Sequence, residues 1–345
     1  MGAGVAGLAA ARALVAADHE VVVFEARDRV GGRLLSKPVD GGALDLGATW
    51  FWANEPRIQA LLRQLGLATH AQHLEGDALY EDPTGVQRLQ GNPIDGPAGR
   101  LSGGMQTLST SMADTLPTGV VRLDHAVTHV EVAEGRVRIG LRVPLGADVS
   151  CEAAALILAI PPALAVQAIR FEPALPPPLA QLAAMTPVWM GAMTKVVLHY
   201  AEPFWREAGL AGAAISHVGP LREIHDMSGP EGRPAALFGF APPIRPGAPR
   251  ATAEAVLRQL GTMFGPAAAE PLDLDFLDWR DEAYTSPENA DRLQNYATYG
   301  HPAYQTPALG GRLHWASTET STEVPGHIEG ALAAGERAAA AVIAP

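Results

Sequence analysis

Residues 2–33 of the chain read GAGVAGLAAARALVAADHEVVVFEARDRVGGR. Gly2, Gly4 and Gly7 have the spacing G-x-G-x-x-G, and an alanine-rich stretch of good helix formers and a short apolar run, EVVVFE at 20–25, follow them. In such a turn the first glycine allows a tight bend, the second lets a pyrophosphate approach the backbone, and the third lets the helix pack closely on a strand. The order of turn, helix and strand therefore predicts a dinucleotide-binding βαβ unit in a parallel sheet.

The acidic residue Glu25 ends this apolar run. A carboxylate at that point can accept hydrogen bonds from both ribose hydroxyls of an adenosine, which argues against NADP; the alternative is a solvated strand end. The first strand of the βαβ unit is missing, because only Met1 precedes Gly2. We expect its loss to remove two ladders of hydrogen bonds and to weaken cofactor binding, and a start codon assigned too late or a truncated chain explains it better than a native design.

The composition restricts the class of protein. The 345 residues are 48% hydrophobic and 18% charged, which fits an enzyme of about two domains and excludes global disorder. The net charge of −12 argues against binding to nucleic acid or to an anionic membrane. One cysteine, Cys151, allows no disulfide within the chain, so we expect a cytoplasmic protein. We expect no signal peptide, no membrane-spanning segment and no metal site, since His70 and His73 lack a third ligand.

Periodicity and turn residues predict the remaining elements. Helices are expected at 57–65, 103–116, 251–264 and 330–345. Strands are expected at 154–160, 193–200 and 235–240, with two or three more in 119–142. Residues 76–104 are predicted to be loops, and the proline-rich stretches 171–178 and 241–250 to be breaks.

Five segments in order along the chain resemble the flavin-dependent amine oxidases of the monoamine and polyamine oxidase superfamily. They are EARDRVGGR (25–33), DLGATW (45–50), GGMQTL (103–108), LAIPP (158–162) and GRLHWASTETSTEVPGHIEGALAAGERAA, beginning at Gly311. The resemblance implies an α/β fold in which a Rossmann-like FAD-binding domain of the GR2 type carries a smaller, discontinuous α+β substrate domain. It implies that residues 1–70, 100–168 and 285–345 bind FAD and that residues 71–99 and 169–284 form the substrate domain. FAD is expected to be noncovalent, since no cysteine lies where some relatives attach it.

The resemblance also implies a set of cofactor-binding residues. Glu319 would accept hydrogen bonds around the ribityl or diphosphate groups, and the helix that begins near His327 would direct its N-terminus at the N1–C2=O edge of the flavin. The complete set is Gly2, Gly4, Gly7, Glu25, Ala26, Arg27, Gly32, Arg33, Gly47, Ala48, Thr49, Val130, Glu319, His327 and Ile328.

Lys195 is the first catalytic candidate. Alternation along MTKVVLHY (193–200) places Met193, Lys195, Val197 and His199 on one strand face. A lysine among apolar neighbours is costly unless its site is wet or paired. The resemblance implies that Lys195 holds a water molecule at flavin N5 and assists the reaction of the reduced flavin with oxygen. The alternative is a lysine that extends from an edge strand to solvent.

His327 is the second catalytic candidate, and it stands where the chain departs from the family. Monoamine oxidases flank the flavin with two tyrosines, whose positions correspond here to His327 and to the neighbourhood of Asn289. His327 is either a polar, proton-handling group or a helix N-terminal residue that satisfies backbone groups. The segment between Leu67 and Leu101 is also short, so we expect a substrate cavity that is smaller, more open or completed by another subunit. Aromatic candidates for its lining, each explained equally by core packing, are Tyr284, Tyr296, Tyr299 and Trp315.

The activity implied is the oxidation of a C–H bond next to an amine nitrogen, with hydride transfer to flavin N5 and reoxidation by oxygen to hydrogen peroxide. The expected partners are therefore a small-molecule substrate, with an amine as its class, and oxygen. Two alternatives remain open: a desaturase or dehydrogenase that acts on a non-amine substrate, and a catalytically impaired flavoprotein remnant. Peroxide production separates the first alternative from the oxidase.

Overall fold

The computed structural model describes residues 1–144, 148–243 and 250–344. The helices in these ranges are α1 (Val5–Ala16), α2 (Pro56–Gln64), α3 (Gln106–Asp114), α4 (Pro162–Ala168), α5 (Pro177–Met185), α6 (Phe204–Glu207), α7 (Ala253–Phe264) and α8 (Ile328–Ile343). The strands are β1 (Val23–Phe24), β2 (Ser36–Val39), β3 (Gly42–Asp45), β4 (Thr69–Ala71), β5 (Asp77–Asp82), β6 (Gly85–Leu89), β7 (Gly99–Leu101), β8 (Val121–Arg122), β9 (Ala126–Ala133), β10 (Arg136–Arg142), β11 (Asp148–Ala153), β12 (Leu156–Leu158), β13 (Arg170–Glu172), β14 (Thr194–Tyr200), β15 (Leu210–Ser216), β16 (Glu223–Asp226), β17 (Ala235–Ala241), β18 (Asp273–Asp278) and β19 (Leu313–Trp315).

The predicted βαβ unit forms around α1, with its parallel sheet in two halves. One half pairs β1 with β8 and the other pairs β12 with β19. Met1 and Gly2 lie between them: Met1 exchanges hydrogen bonds with Ile157 and Ala159, both at 2.9 Å, and Gly2 donates to the Phe24 carbonyl at 2.7 Å. Met1 and Gly2 thus connect the two halves of the sheet and hold the glycine turn at the start of α1.

Gly2 and Gly7 are required by packing at this turn. Gly2 has a φ of +87°, and a Cβ added to it would lie 2.8 Å from the carbonyl oxygen of Ala159. A Cβ on Gly7 would lie 1.9 Å from the carbonyl oxygen of Gly2. The third glycine of the motif therefore lets the helix and the turn pack closely, as its spacing predicts.

A seven-stranded sheet forms the other large layer, in the order β18-β14-β17-β16-β15-β5-β6. Successive side chains of a strand alternate between faces, and in β14 Val196, Leu198 and Tyr200 join the core formed with α7. Lys195 and Val197 therefore face the other side, where Val197 packs in a core cluster with Phe238. All seven strands lie within residues 71–99 and 169–284, and the domain boundaries themselves stay a prediction.

The predicted elements agree with the structure except in three places. The four predicted helices are α2, α3, α7 and α8, with ends that differ by at most a few residues. The prediction of loops over 76–104 is wrong, because β5, β6 and β7 lie there. Only Val23–Phe24 of the run 20–25 is a strand, and the predicted break at 171–178 contains β13 and the start of α5. Within the break at 241–250, residues 244–249 lie outside the described residues.

The missed strands have a clear physical cause. β6 is largely exposed, so its sequence carries no apolar alternation, and β5 is held by a parallel partner, β15, more than a hundred residues away. Their pairing is long-range and leaves little local signal. None of the helices in the described ranges is long and apolar enough to cross a membrane.

Candidate active site

A cavity of about 860 Å³ lies where the N-terminal ends of α1 and α8, the end of β1 and the strands β14 and β17 come together. Most of the predicted site residues line it. These are Gly2, Gly4, Glu25, Ala26, Arg27, Gly32, Arg33, Gly47, Ala48, Thr49, Lys195, His327 and Ile328. Residues separated by up to 326 positions in the chain are thus brought to one site.

The first wall of the cavity is the glycine turn at the start of α1. A Cβ on Gly4 would meet one atom within 4 Å, the Gly31 carbonyl oxygen at 3.8 Å, so the backbone here is open to a ligand. Gly4 is the N-cap of α1, and no side chain caps that end. The free amides and the positive end of the helix dipole therefore face the cavity, which suits a phosphate group.

Glu25 lies beside this turn with 4% of its surface exposed. Its two carboxylate oxygens accept hydrogen bonds from the backbone amides of Ala3 at 2.7 Å and Arg27 at 3.0 Å. The Arg27 guanidinium reaches Glu282 at 2.7 Å and so connects the glycine turn to the segment after β18. Glu25 is therefore held in a fixed orientation at the cavity wall, in contrast to a solvated strand end.

Three predicted cofactor-binding residues do not line the cavity: Gly7, which packs against the glycine turn, Val130 and Glu319. Val130 of β9 points into the core and is fully buried, and the cavity is lined instead by Ala126, Val127 and Thr128 of the same strand. The cause is a register shift: Gly140 of β10 pairs with His129 and Leu141 pairs with Val127, so Thr128 is skipped. The simple alternation of a strand is broken there, and the assignment of Val130 to the cofactor site is corrected.

The assignment of Glu319 to the cofactor is also corrected. It is fully buried and forms an ion pair with Arg33, 2.6 Å between Nη1 and Oε1, and it also accepts a hydrogen bond from the Trp189 amide at 3.1 Å. Arg33 lines the cavity, and Glu319 does not. Burial opposes ionisation of Glu319, but the Arg33 guanidinium prevails and lowers the pKa of the carboxyl. Glu319 therefore acts on the site by holding Arg33.

Lys195 lies on the β14 face of the cavity and is 2% exposed. Its Nζ donates to the Gly47 carbonyl at 2.8 Å and to Thr49 Oγ1 at 2.5 Å, and it stands 4.2 Å from the centre of the Phe238 ring. Burial lowers the pKa of Lys195 from 10.5 to about 7, although Asp45 opposes the shift. The lysine is paired and enclosed, so the alternative of a side chain extending to solvent is wrong.

Two buried charged groups stand behind Lys195, and the sequence interpretation missed them. Asp45 accepts hydrogen bonds from Ser36 Oγ at 2.6 Å and from the Met105 amide at 2.7 Å, and burial raises its pKa against the effect of Lys195. Arg100, 2% exposed, donates to the Ser228 carbonyl at 2.8 Å. Asp45 opens the segment DLGATW, so its position in that segment was the available signal.

Aromatic side chains form a further part of the cavity wall. The ring centre of Trp52 lies 4.8 Å from that of His327, and the ring centre of Trp189 lies 6.4 Å from it. Both tryptophans line the cavity with Trp50. The sequence interpretation missed them, although the run Trp50-Phe51-Trp52 was a visible signal. Of the earlier aromatic candidates, Tyr284 lines the cavity, whereas Trp315 packs in the core against Tyr304.

His327 is the N-cap residue of α8, and its side chain does not cap that helix. Its Nδ1 lies 2.7 Å from Oε1 of Glu55, a residue that the sequence interpretation also missed. The available signal was an acidic residue next to Pro56 at the start of a helix. His327 is therefore a polar group in the cavity wall, with one ring nitrogen engaged by a carboxylate.

Comparisons with known proteins agree with this geometry. The family model for flavin containing amine oxidoreductases matches residues 5–99 and 73–343. AofH of Mycobacterium tuberculosis, provisionally named a flavin-containing monoamine oxidase, is 30% identical over 445 aligned positions that cover 100% of this chain and 96% of the relative. The chain has 345 residues, so the relative contains segments that this chain lacks.

Solved structures show the same similarity. Putrescine oxidase bound to putrescine superposes with a TM-score of 0.86 at 26% identity, covering 100% of this chain and 98% of that one. Cyclohexylamine oxidase from Brevibacterium oxydans gives a TM-score of 0.84 at 25% identity, covering 99% and 97%. The predicted α/β fold and the FAD cofactor are confirmed, and the sole cysteine, Cys151, is absent from the cavity lining. The chain therefore belongs to the flavin-containing amine oxidoreductase family and is an FAD-dependent, amine oxidase-like oxidoreductase.

Proposed function

We propose that this protein oxidises a small-molecule amine at the carbon next to nitrogen and uses oxygen as the final electron acceptor. The observation that carries the proposal is the cavity itself, which combines a buried lysine, Lys195, with an aromatic wall at Trp52 and Trp189. The similarity to oxidases named for putrescine and cyclohexylamine supports an amine as the substrate class.

The residues present suit FAD. The open backbone at Gly4 and the uncapped start of α1 fit the diphosphate, and Glu25 fits the ribose hydroxyls. The uncapped start of α8, at Ile328, offers positive potential to the ring system. When bound, FAD supplies the two-electron acceptor that the protein's own side chains lack.

Lys195 is proposed to hold a water molecule at the reaction site. An ammonium group has three N–H donors, and the contacts of Nζ to Gly47 and Thr49 occupy two of them. The third donor is left for a ligand in the cavity. With a pKa of about 7 the group changes charge near neutral pH, so it can supply positive charge or release a proton where oxygen reacts.

The aromatic wall is proposed to position the amine. Rings of tryptophan attract a cationic nitrogen through their negative faces and exclude water around it. Trp52, Trp189 and His327 thereby stand in for the tyrosine pair of monoamine oxidases. The overall reaction converts R–CH₂–NH₂, O₂ and H₂O into R–CHO, NH₃ and H₂O₂: the amine loses two electrons and two protons, which oxygen takes up as peroxide, and water hydrolyses the resulting imine.

Two further proposals accompany this function. The boundaries 1–70, 100–168 and 285–345 for the FAD-binding domain, with 71–99 and 169–284 for the substrate domain, are supported by the seven-stranded sheet, whose strands all fall in the latter ranges. A cytoplasmic location is supported by the single cysteine.

For the test, the purified protein is first saturated with FAD, and the unbound FAD is removed. A sample of the protein is then precipitated with acid. If the flavin absorption near 450 nm is found in the supernatant, the FAD is bound noncovalently. Benzylamine, cyclohexylamine and putrescine are then added, first without oxygen, to follow bleaching of the flavin, and then in air with a peroxidase-coupled assay. Bleaching with stoichiometric peroxide supports an amine oxidase. If the amine bleaches the flavin but the reduced flavin passes its electrons only to an artificial dye, the protein is a dehydrogenase. If none of these amines bleaches the flavin, the proposal for this substrate class is contradicted.

A further inference from the structure

Two helix N-termini meet at the aromatic wall of the cavity. Glu55 is the N-cap of α2 and His327 is the N-cap of α8, and their side chains are in contact at 2.7 Å. The Glu55 side chain is 2% exposed, whereas that of His327 is 31% exposed and lines the cavity. A buried carboxylate thus supports a histidine that a ligand can reach.

Both oxygens of Glu55 are engaged. Oε1 contacts His327 Nδ1, and Oε2 accepts a hydrogen bond from the Trp52 amide at 2.8 Å. The positive end of α2 favours a charged carboxylate at this position. Because a carboxylate only accepts hydrogen bonds, Nδ1 of His327 must carry the proton in this contact. In the neutral ring Nε2 is then the nitrogen with the free electron pair.

The neighbouring charged groups have other partners. Arg57, on the same helix as Glu55, forms ion pairs with Glu323, Glu329 and Glu336. Glu329, two residues after His327, also accepts a hydrogen bond from the Ile58 amide at 3.0 Å. Among the described ion pairs, Glu55 is therefore the carboxylate that engages His327.

We propose that Glu55 is a positioning residue that holds His327 as its Nδ1–H tautomer, so that Nε2 accepts a proton from the ammonium group of an amine substrate; this deepens the proposed function and rests on it. An N–H bond of the ammonium breaks, the proton moves to Nε2, and the electron pair stays on the substrate nitrogen as the lone pair that oxidation requires. The imidazolium formed is stabilised by the Glu55 carboxylate. The rings of Trp52 and Trp189 limit the movement of the His327 ring.

The test compares Glu55→Gln with a matched control, Glu323→Gln. Glu323 is 57% exposed, belongs to the same cluster of charges and does not contact His327, so its loss removes one negative charge without touching the proposed pair. Both changes are made in the FAD-loaded protein, alone and together with His327→Asn. The rate constant for anaerobic flavin reduction by benzylamine is measured, and ¹⁵N spectra at about pH 9 report which ring nitrogen of His327 carries the proton, assigned by its loss in His327→Asn.

We expect Glu55→Gln to slow flavin reduction about tenfold or more with FAD content unchanged, and Glu323→Gln to change it less than about twofold. In the His327→Asn protein, Glu55→Gln should have no further effect, since the two residues act as one unit. A Glu55→Gln protein as fast as wild type overturns the proposal, and so does an equal slowing with and without His327, which a purely structural role of Glu55 would produce.

The spectra keep the inference separable from the proposed function. If benzylamine fails to reduce the wild-type flavin, the proton on Nδ1 still supports the pairing, and a proton on Nε2 overturns it. If Glu55→Gln does not fold, Glu55→Asp replaces it: the carboxylate is retained, so the Nδ1–H tautomer should persist, and its loss would contradict the role of the carboxylate.

Discussion

Replacing Lys195 with methionine measures what it costs the protein to bury this charge. The side chain is 2% exposed, and burial lowers its pKa from 10.5 to about 7. Methionine has a similar length, fills the space between β14 and the Phe238 ring and carries no charge. The variant therefore removes the titrating group with little change of packing.

The magnitude follows from the pKa. A decrease from 10.5 to about 7, at about 1.4 kcal/mol per pH unit, means that charging Lys195 in the folded protein costs about 5 kcal/mol more than in the unfolded chain. The folded pKa is the lower one, so the unfolded state binds more protons between the two values. The penalty is full below about pH 7 and decreases as the pH rises toward 10.5. Between about pH 6 and pH 9 wild type should thus gain about 3 kcal/mol of unfolding free energy relative to Lys195→Met.

The assay is urea unfolding followed by tryptophan fluorescence, with saturating FAD, at several pH values over this range. Lys37→Met is the matched control, because hydrogen bonds to Asp273 and Asp275 raise the pKa of Lys37 and it stays charged throughout. Its stability difference from wild type should not change with pH. If the difference between wild type and Lys195→Met also stays constant within about 1 kcal/mol, Lys195 does not titrate near neutral pH and the argument is refuted.

Three further predictions test the site. Gly4→Ala should weaken FAD binding about tenfold or more without loss of stability, since its Cβ would meet no protein atom closer than 3.8 Å. Gly7→Ala should instead destabilise the fold by about 3 kcal/mol or more, because its Cβ would lie 1.9 Å from a carbonyl oxygen. FAD titration and thermal unfolding distinguish them, and equal effects of both changes on binding would contradict the distinction. Glu319→Gln leaves Arg33 without its carboxylate and should lower the free energy of unfolding in urea by about 2–4 kcal/mol. The loss is smaller than for a fully buried pair because Arg33 is partly exposed. An unchanged urea midpoint would show that the pair does not stabilise the fold. In stopped-flow absorbance, Lys195→Met should slow reoxidation of the reduced enzyme by oxygen about tenfold or more, and should slow reduction by the amine less. The reverse pattern would place Lys195 in the reduction of the flavin by the amine.

Much of the nucleotide-binding half could be predicted because its requirements are local. The glycine spacing from Gly2 to Gly7 and the acidic residue Glu25 all lie within one turn, helix and strand. Backbone clashes at Gly2 and Gly7 confirm that the spacing reflects packing. Local alternation also placed Lys195 on the correct face of β14.

Predictions failed where a position depends on a distant partner. Val130 was assigned to the cofactor site from the family resemblance, but the register shift opposite Gly140 places Val127 and Thr128 at the cavity lining instead. Glu319 was assigned to the cofactor, but it is used by Arg33, which is 286 residues away. The hairpin of β5 and β6 was missed because strand pairing with β15 stabilises it, and an exposed strand has no apolar pattern of its own.

The sequence alone determined the family, the cofactor and the class of fold, because a phosphate-binding turn and an ordered set of motifs require particular residues at particular spacings. The tertiary structure alone decided which side chains share the cavity. Glu55 and His327 are 272 residues apart and meet because two helices start at the same point, and Lys195 finds its partners 146 and 148 residues away because the seven-stranded sheet packs on the segment after β3. Such contacts are set by how layers pack on one another, and no local periodicity in the chain records them.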